Sequence, residues 1–245
     1  FGIFPVLEIE DAAFNGRIVG GTTALRGYFP FQVSLKTALI QSHFCGGFII
    51  TSRWIGTAAH CTHNRLPTNV IAVAGAVART LEGEKIILEK FVTHPEYVNS
   101  NLRNDIALIK TEAAIEFTDV VQPIRLGAFY ADNGVYAVAS GWGYMTNPGQ
   151  AAANLQHMEV EVVGLDECRK RLSPANAARV FNTSLCAQSN KSGGACMGDS
   201  GGPLIGPNGI LIGLISWGVP CAKGQPDVYT RITSYHSWID EVIDF

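Results

Sequence analysis

The segment Gly198-Asp199-Ser200-Gly201-Gly202-Pro203 sets three glycines around one serine. With no neighbouring side chains to shield it, a hydroxyl in such a turn projects outward, and nearby backbone N–H groups stay free to meet an incoming oxygen. By itself the segment is equally an ordinary surface turn, so its surroundings decide. Downstream, residues 210–216 are a short run rich in Ile, Leu and Gly, and 228–232 one of Val, Tyr, Thr, Arg and Ile; upstream lie 136–141 and 158–163. An earlier series comprises 31–36, 44–50, 70–74, 86–93 and 106–110. These runs are short and bounded by Gly, Pro, Asn or Ser, at the spacing of strands in a sandwich or barrel. Helical periodicity is confined to 166–172 and to the C-terminus, where Thr233 offers a cap and Trp238, Ile239 and Val242 fall on one face. An all-β chain with a C-terminal α-helix is expected, and residues 122–133 read as the crossover between two strand sets.

Composition narrows the class. A chain of 245 residues with 47% hydrophobic and 16% charged side chains can bury a sizeable core. No apolar run approaches the roughly 18 residues a helical membrane span requires, so no membrane partner is expected. A formal charge of -3 and the absence of any Lys/Arg block leave no footprint for nucleic acid. The cysteines at 45, 61, 168, 186, 196 and 221 form no Cys-x-x-Cys pair and no Cys/His cluster of zinc type. Their even number and wide spacing favour three disulfides and an oxidising compartment, with about fifteen pairings open on sequence grounds. Residues 1–9 are apolar but lack a basic flank and are too short for a signal peptide.

Two further motifs accompany the serine turn. Thr57-Ala58-Ala59-His60-Cys61 follows a strand-like run, and Asn104-Asp105-Ile106-Ala107-Leu108 opens another with an acid. A serine hydroxyl is a poor nucleophile until an imidazole takes its proton during attack, and a carboxylate fixes the imidazole's tautomer. All three residue types are present. The histidines at 63, 94, 157 and 236 match no such motif and read as surface or packing residues.

These motifs, together with Ile18-Val19-Gly20-Gly21 and Ser216-Trp217-Gly218, lie in the order and at about the spacing of the trypsin and chymotrypsin family. The chain resembles that family across residues 18–245. The resemblance implies two antiparallel six-stranded Greek-key β-barrels, residues 18–125 and 126–245, the second including the C-terminal helix, after an activation propeptide at 1–17. It implies a serine endopeptidase in which Ser200, His60 and Asp105 form the catalytic triad, Gly198 and Ser200 the oxyanion hole, and Ser216 a support for Asp105. It also selects the bridges Cys45–Cys61, Cys168–Cys186 and Cys196–Cys221. Three rivals fit less well: a catalytically dead homologue usually lacks a triad member, a cascade protease would carry its own recognition domain, and an α/β esterase would place serine in a Gly-x-Ser-x-Gly elbow.

The same resemblance places Gly194, Ser216, Trp217, Gly218 and Asp227 at the substrate. Trypsin-like enzymes have an aspartate at the pocket base where this chain has Gly194, and Gly218 leaves the entrance open. A preference for large apolar or aromatic residues before the scissile bond is expected, with Asp227 on the pocket wall admitting a broader, even trypsin-like, range. Many relatives bind calcium in the loop that spans 75–83 here, but Ala76 occupies the first acidic position, Glu82 and Glu84 read as solvated charges, and no cofactor or metal is expected. Cleavage after Arg17 by a trypsin-like protease would free the α-ammonium of Ile18 to pair with Asp199; before cleavage, Asp199 is expected to bond to His43 and Ser34. The expected partners are protein or peptide substrates, the activating protease and protein inhibitors; the chain is expected to be a secreted monomer of digestive type. Asn182 and Asn190 open glycosylation sequons.

Overall fold

A computed structural model describes residues 21–80, 83–144, 150–189, 194–219 and 224–243. The activation residues Arg17 and Ile18, Glu82, Asn190 and Cys221 lie outside them. Along the chain the strands are β1 (Thr22–Thr23), β2 (Gln32–Thr37), β3 (His43–Thr51), β4 (Trp54–Thr57), β5 (Val70–Ala74), β6 (Glu84–Ile86), β7 (Leu88–Thr93) and β8 (Ala107–Thr111). The second half adds β9 (Tyr136–Gly141), β10 (Gln156–Val163), β11 (Ser184–Gln188), β12 (Pro203–Ile205), β13 (Leu211–Trp217) and β14 (Asp227–Arg231).

Every ladder is antiparallel, and the strands form two sheets. The first runs β6-β5-β2-β3-β4-β8-β7, and its two end strands are joined through Ile87. Counting β6 and β7 as one bent strand gives the expected six. The second runs β10-β11-β14-β13-β12-β9, and β9 pairs back onto β10 to close it. Closure removes the exposed edges that invite aggregation. Alternation explains the barrel wall: on β10, Met158, Val160 and Val162 enter the core while Glu159 faces solvent.

Several details differ from the sequence reading. The run 86–93 is broken at Ile87, where the strand bends. β4, β11 and β12 are only four, five and three residues long and gave no separate signal. Thr233 lies in a 3₁₀ turn, Ile232–Ser234, so it caps no helix; α-helical structure begins at His236 and runs to Ile243. The helix follows the second barrel in sequence yet its Ile239, Trp238 and Val242 pack on the core of the first. Likewise β1, from the first half, pairs with β10 of the second. The two barrels are therefore strapped together at both ends of the chain. His94 stacks on Tyr235 and Trp238, His157 on Tyr28 and Phe29, and His236 bonds to the Gly127 carbonyl.

A third strap lies beside the site. Leu155 N donates to Val77 O (2.7 Å), Arg79 N to Ala153 O (2.7 Å), and Trp142 Nε1 to Val77 O (2.8 Å). Under this turn sits the buried Lys36, whose ammonium donates to Arg79 O at 2.8 Å and Thr80 O at 3.4 Å. Burial, then Arg79 and Lys85, hold its pKa below the usual lysine value. The loop thus contains a cation supplied by the chain itself. Replacing Lys36 with Met leaves those carbonyls without their donor, which should cost about 1–3 kcal/mol. Thermal unfolding should show a melting temperature lower by several degrees; an unchanged value would contradict this role.

Candidate active site

Three elements converge at the groove between the barrels. His60 sits in α1 (Ala59–Thr62), a single turn after β4. The bridge Cys45–Cys61 fastens that turn to β3. Asp105 precedes β8 and is 1% exposed. Ahead of it Asn104 holds a φ of 53°, its side chain donating to Glu96 O (3.0 Å) and accepting from Tyr235 Oη (2.9 Å). These bonds fix the direction in which Asp105 enters the groove.

The Asp105 carboxylate takes three hydrogen bonds. Oδ1 accepts from His60 N at 2.9 Å, and Oδ2 from His60 Nδ1 at 2.8 Å and from Ser216 Oγ at 2.6 Å. Since Nδ1 serves as the donor, the neutral ring keeps Nε2 as its free base on the side away from the acid. Ser216 comes from β13 of the second barrel, so the carboxylate is shared between barrels.

The serine loop is pinned from both sides. Ser200 O accepts from Gly46 N of β3 (2.8 Å), while Gly201 N donates to Ile215 O (2.7 Å) and Ile215 N to Gly202 O (2.9 Å). Gly198 and Gly201 hold φ of 96° and 79°, a region L side chains rarely adopt, and a side chain at Gly201 would also collide with Thr57 Oγ1. The N–H groups of Gly198 and Ser200 donate to no described residue. Cys168–Cys186 is formed as the resemblance implies. Cys196 is disulfide-bonded; Cys221 lies outside the described residues.

Asp199 behaves differently from the resting network expected for it. Its Oδ1 accepts from Gly143 N at 2.7 Å and its Oδ2 from Cys196 N at 3.0 Å, and no bond to His43 is made. His43 instead accepts from Ser34 Oγ at Nδ1 (2.8 Å) and donates from Nε2 to Gly198 O (2.9 Å). Desolvation lowers the His43 pKa to about 4, so the ring is neutral and offers Asp199 no cation. Of the expected set only the Ser34–His43 bond forms: the Nε2 proton of His43 goes to Gly198 O, and Asp199 takes its hydrogen bonds from the amides of Gly143 and Cys196. Burial raises the Asp199 pKa to about 6, against the two amides that lower it. A side chain at Gly141 or Gly143 would collide with this carboxylate. The Gly141-Trp142-Gly143 segment was missed in the sequence; two glycines flanking a tryptophan were the available signal.

Asp227 lies between Gly218 and the residue that follows Gly194. Asp227 Oδ2 accepts from Ala195 N at 2.7 Å, and its other oxygen lies against Gly218, where any side chain would collide with it. Asp227 is 5% exposed, and burial raises its pKa to about 7 against the Ala195 bond, Asp199 adding to the rise. Behind it the buried Tyr229 hydroxyl is pushed well above its usual pKa by burial, Asp227 and Asp199.

The comparisons with known proteins agree with this architecture. The family model described as Trypsin matches residues 18–239. The chain is 37% identical to "Chymotrypsin-2" of Vespa crabro over 225 residues, covering 91% of this chain and 99% of that protein. It is 36% identical to "Trypsin 5G1" of Aedes aegypti, covering 93% and 85%. Among solved structures, mouse neuropsin, described as a serine protease expressed in the limbic system, superposes with a TM-score of 0.83 at 30% identity, covering 92% of this chain and 99% of that one. A groove between two β-barrels with this donor set defines a serine endopeptidase. The chain belongs to the trypsin family.

Removing the Ser216 hydroxyl deprives Asp105 of its shortest bond while the His60 contact survives. For Ser216→Ala we expect kcat/KM lower by about 10- to 100-fold, as for a lost bond to a charged group, with the fold intact by circular dichroism. Undiminished kcat/KM would contradict the supporting role.

Proposed function

We propose that this chain is the precursor of a secreted endopeptidase that, once cleaved after Arg17, hydrolyses peptide bonds through an acyl-enzyme on Ser200. The observation that carries the reading is the buried Asp105 bonded to His60 Nδ1 at 2.8 Å beside the pinned serine loop. His60 Nε2 takes the Ser200 proton as Oγ attacks the carbonyl carbon. The carbonyl oxygen becomes an oxyanion held by the Gly198 and Ser200 N–H groups, and collapse expels the amine, which leaves with the proton from His60. Water then repeats the sequence on the acyl group. Ser200→Ala should abolish turnover, and a phosphonylating reagent should label Ser200 in the activated wild type; residual full turnover or no labelling would refute the mechanism.

Activation rests on Asp199. Among the described residues the buried Asp199 carboxylate has two amide donors and no cationic partner, which fits the Ile18 α-ammonium as its counter-charge. Secretion is supported by the disulfides, which persist in oxidising compartments; among the described residues, no helix is long and apolar enough to cross a membrane.

For the residue before the scissile bond (P1), Gly194 at the base and a protonated Asp227 favour large apolar side chains. Ionised, the same carboxyl would accept Lys or Arg, which is the second reading. With a pKa near 7, Asp227 is neutral below that pH and charged above it. The ratio of kcat/KM for a P1 Lys peptide to that for a P1 Leu peptide cancels any pH dependence common to both substrates. It should rise as pH passes upward through about 7, and the rise should vanish in Asp227→Gly. A flat ratio in wild type would overturn Asp227's part in substrate choice.

A further inference from the structure

Beyond Gly202 the outer edge of β13 has no strand neighbour over Ser216, Trp217 and Gly218 among the described residues, since the pairing with β12 ends at Leu214. On the reading above, a substrate lies along this edge as an added antiparallel strand. Its side chains then alternate in direction, so the second and fourth residues before the scissile bond (P2 and P4) lean to the Trp217 side. On that geometry P2, nearer the scissile bond, falls toward His60. P4 extends over Trp217 and what surrounds it.

What surrounds it is basic. The Arg179 guanidinium lies over the Trp217 ring at 4.5 Å from its centre, and Arg103 lies over the Phe181 ring at 5.8 Å. Both rings belong to the second half of the chain, and the cations over them come one from each half: Arg103 stands two residues before Asp105, and Arg179 follows the short helix Pro174–Ala177. Among the described residues neither guanidinium belongs to an ion pair. The Arg179 Nε is shielded from solvent and has no hydrogen-bond acceptor, a costly condition for an N–H of a charged group. Nearby polar side chains are committed elsewhere: Asp166 and Asn182 accept from Arg169, and Asp105 faces inward to His60 and Ser216. Stacking on an aromatic face holds a guanidinium in place without neutralising it. Arg179 is therefore a positioned cation at the far end of the substrate's path, lacking a carboxylate.

We propose that Arg179, reinforced by Arg103, makes this protease select an acidic residue at P4 of its substrates. The selection is independent of P1, because Arg179 touches neither the pocket wall at Asp227 nor the triad.

The test uses the full chain activated by cleavage after Arg17 and peptides with one fixed P1 residue, bearing Glu, Gln or Lys at P4 or at P3. Wild type should favour Glu over Gln at P4 by about five-fold in kcat/KM, the scale of a partly exposed charge pair. The advantage should shrink as salt is added. Arg179→Gln should remove it and Arg179→Glu should transfer it to Lys, while a short substrate ending at P2 is cleaved at the wild-type rate by every variant. No Glu advantage at P4, an advantage confined to P3, or one that survives Arg179→Gln would overturn the proposal. If wild type cleaved none of the peptides, including the short one, the peptidase reading itself would fall; cleavage of all without discrimination defeats only the role of Arg179.

Discussion

A carboxylate buried to 1% exposure is tolerable only when hydrogen bonds replace the water it gave up, and Asp105 obtains these from both halves of the molecule. Two donors come from His60, on the turn that the Cys45–Cys61 bridge ties to β3; the third is Ser216 of β13. The carbonyl of Asp105 is also bound, by Thr230 Oγ1 of β14 at 2.8 Å. The barrels must therefore meet in one register for this acid to be satisfied, and that register also delivers the serine loop between β3 and β13. Charge satisfaction and catalytic alignment are the same constraint.

The straps across the groove serve that register. The C-terminal helix returns to the first barrel, β1 crosses to the second, and the turn held by Lys36 pairs with residues 153–155. The last of these anchors Trp142, whose neighbour Gly143 binds Asp199. A path of direct contacts thus connects an interior ammonium to the carboxylate beside the nucleophile. Asp199 and Asp227 share a second trait: both are desolvated acids with raised pKa values; Asp199 adds to the rise at Asp227, and burial together with both acids raises that of Tyr229.

Much of this was legible in the amino-acid order. Strands such as Val70–Ala74 and Tyr136–Gly141 coincide with their apolar runs because alternation and flanking turn residues are local properties. His60, Asp105 and Ser200 stand in motifs whose local geometry is fixed by a disulfide, by the bonds of Asn104 and by glycines respectively. Harder to see were features set by tertiary contact. β12 is three residues long and exists because β9 and β13 flank it. The helix start moved from Thr233 to His236 because the residues between form a 3₁₀ turn closed by Tyr235. The bond expected between Asp199 and His43 is absent because backbone amides of Gly143 and Cys196, distant in sequence or invisible as side chains, compete for the same oxygens. Arg179 carries no motif; only its placement over Trp217 marks it.

The central claim is that Asp105, held from both barrels, orients His60 through Nδ1. Proton magnetic resonance reads this bond directly, because an imidazole N–H donated to a buried carboxylate resonates far downfield and exchanges slowly. The account requires such a resonance, assigned to His60 Nδ1–H, in the folded protein; it should persist in Ser200→Ala and disappear in Asp105→Asn. A downfield proton that survives Asp105→Asn, or its absence from the folded wild type at low temperature across the pH range, would contradict the account.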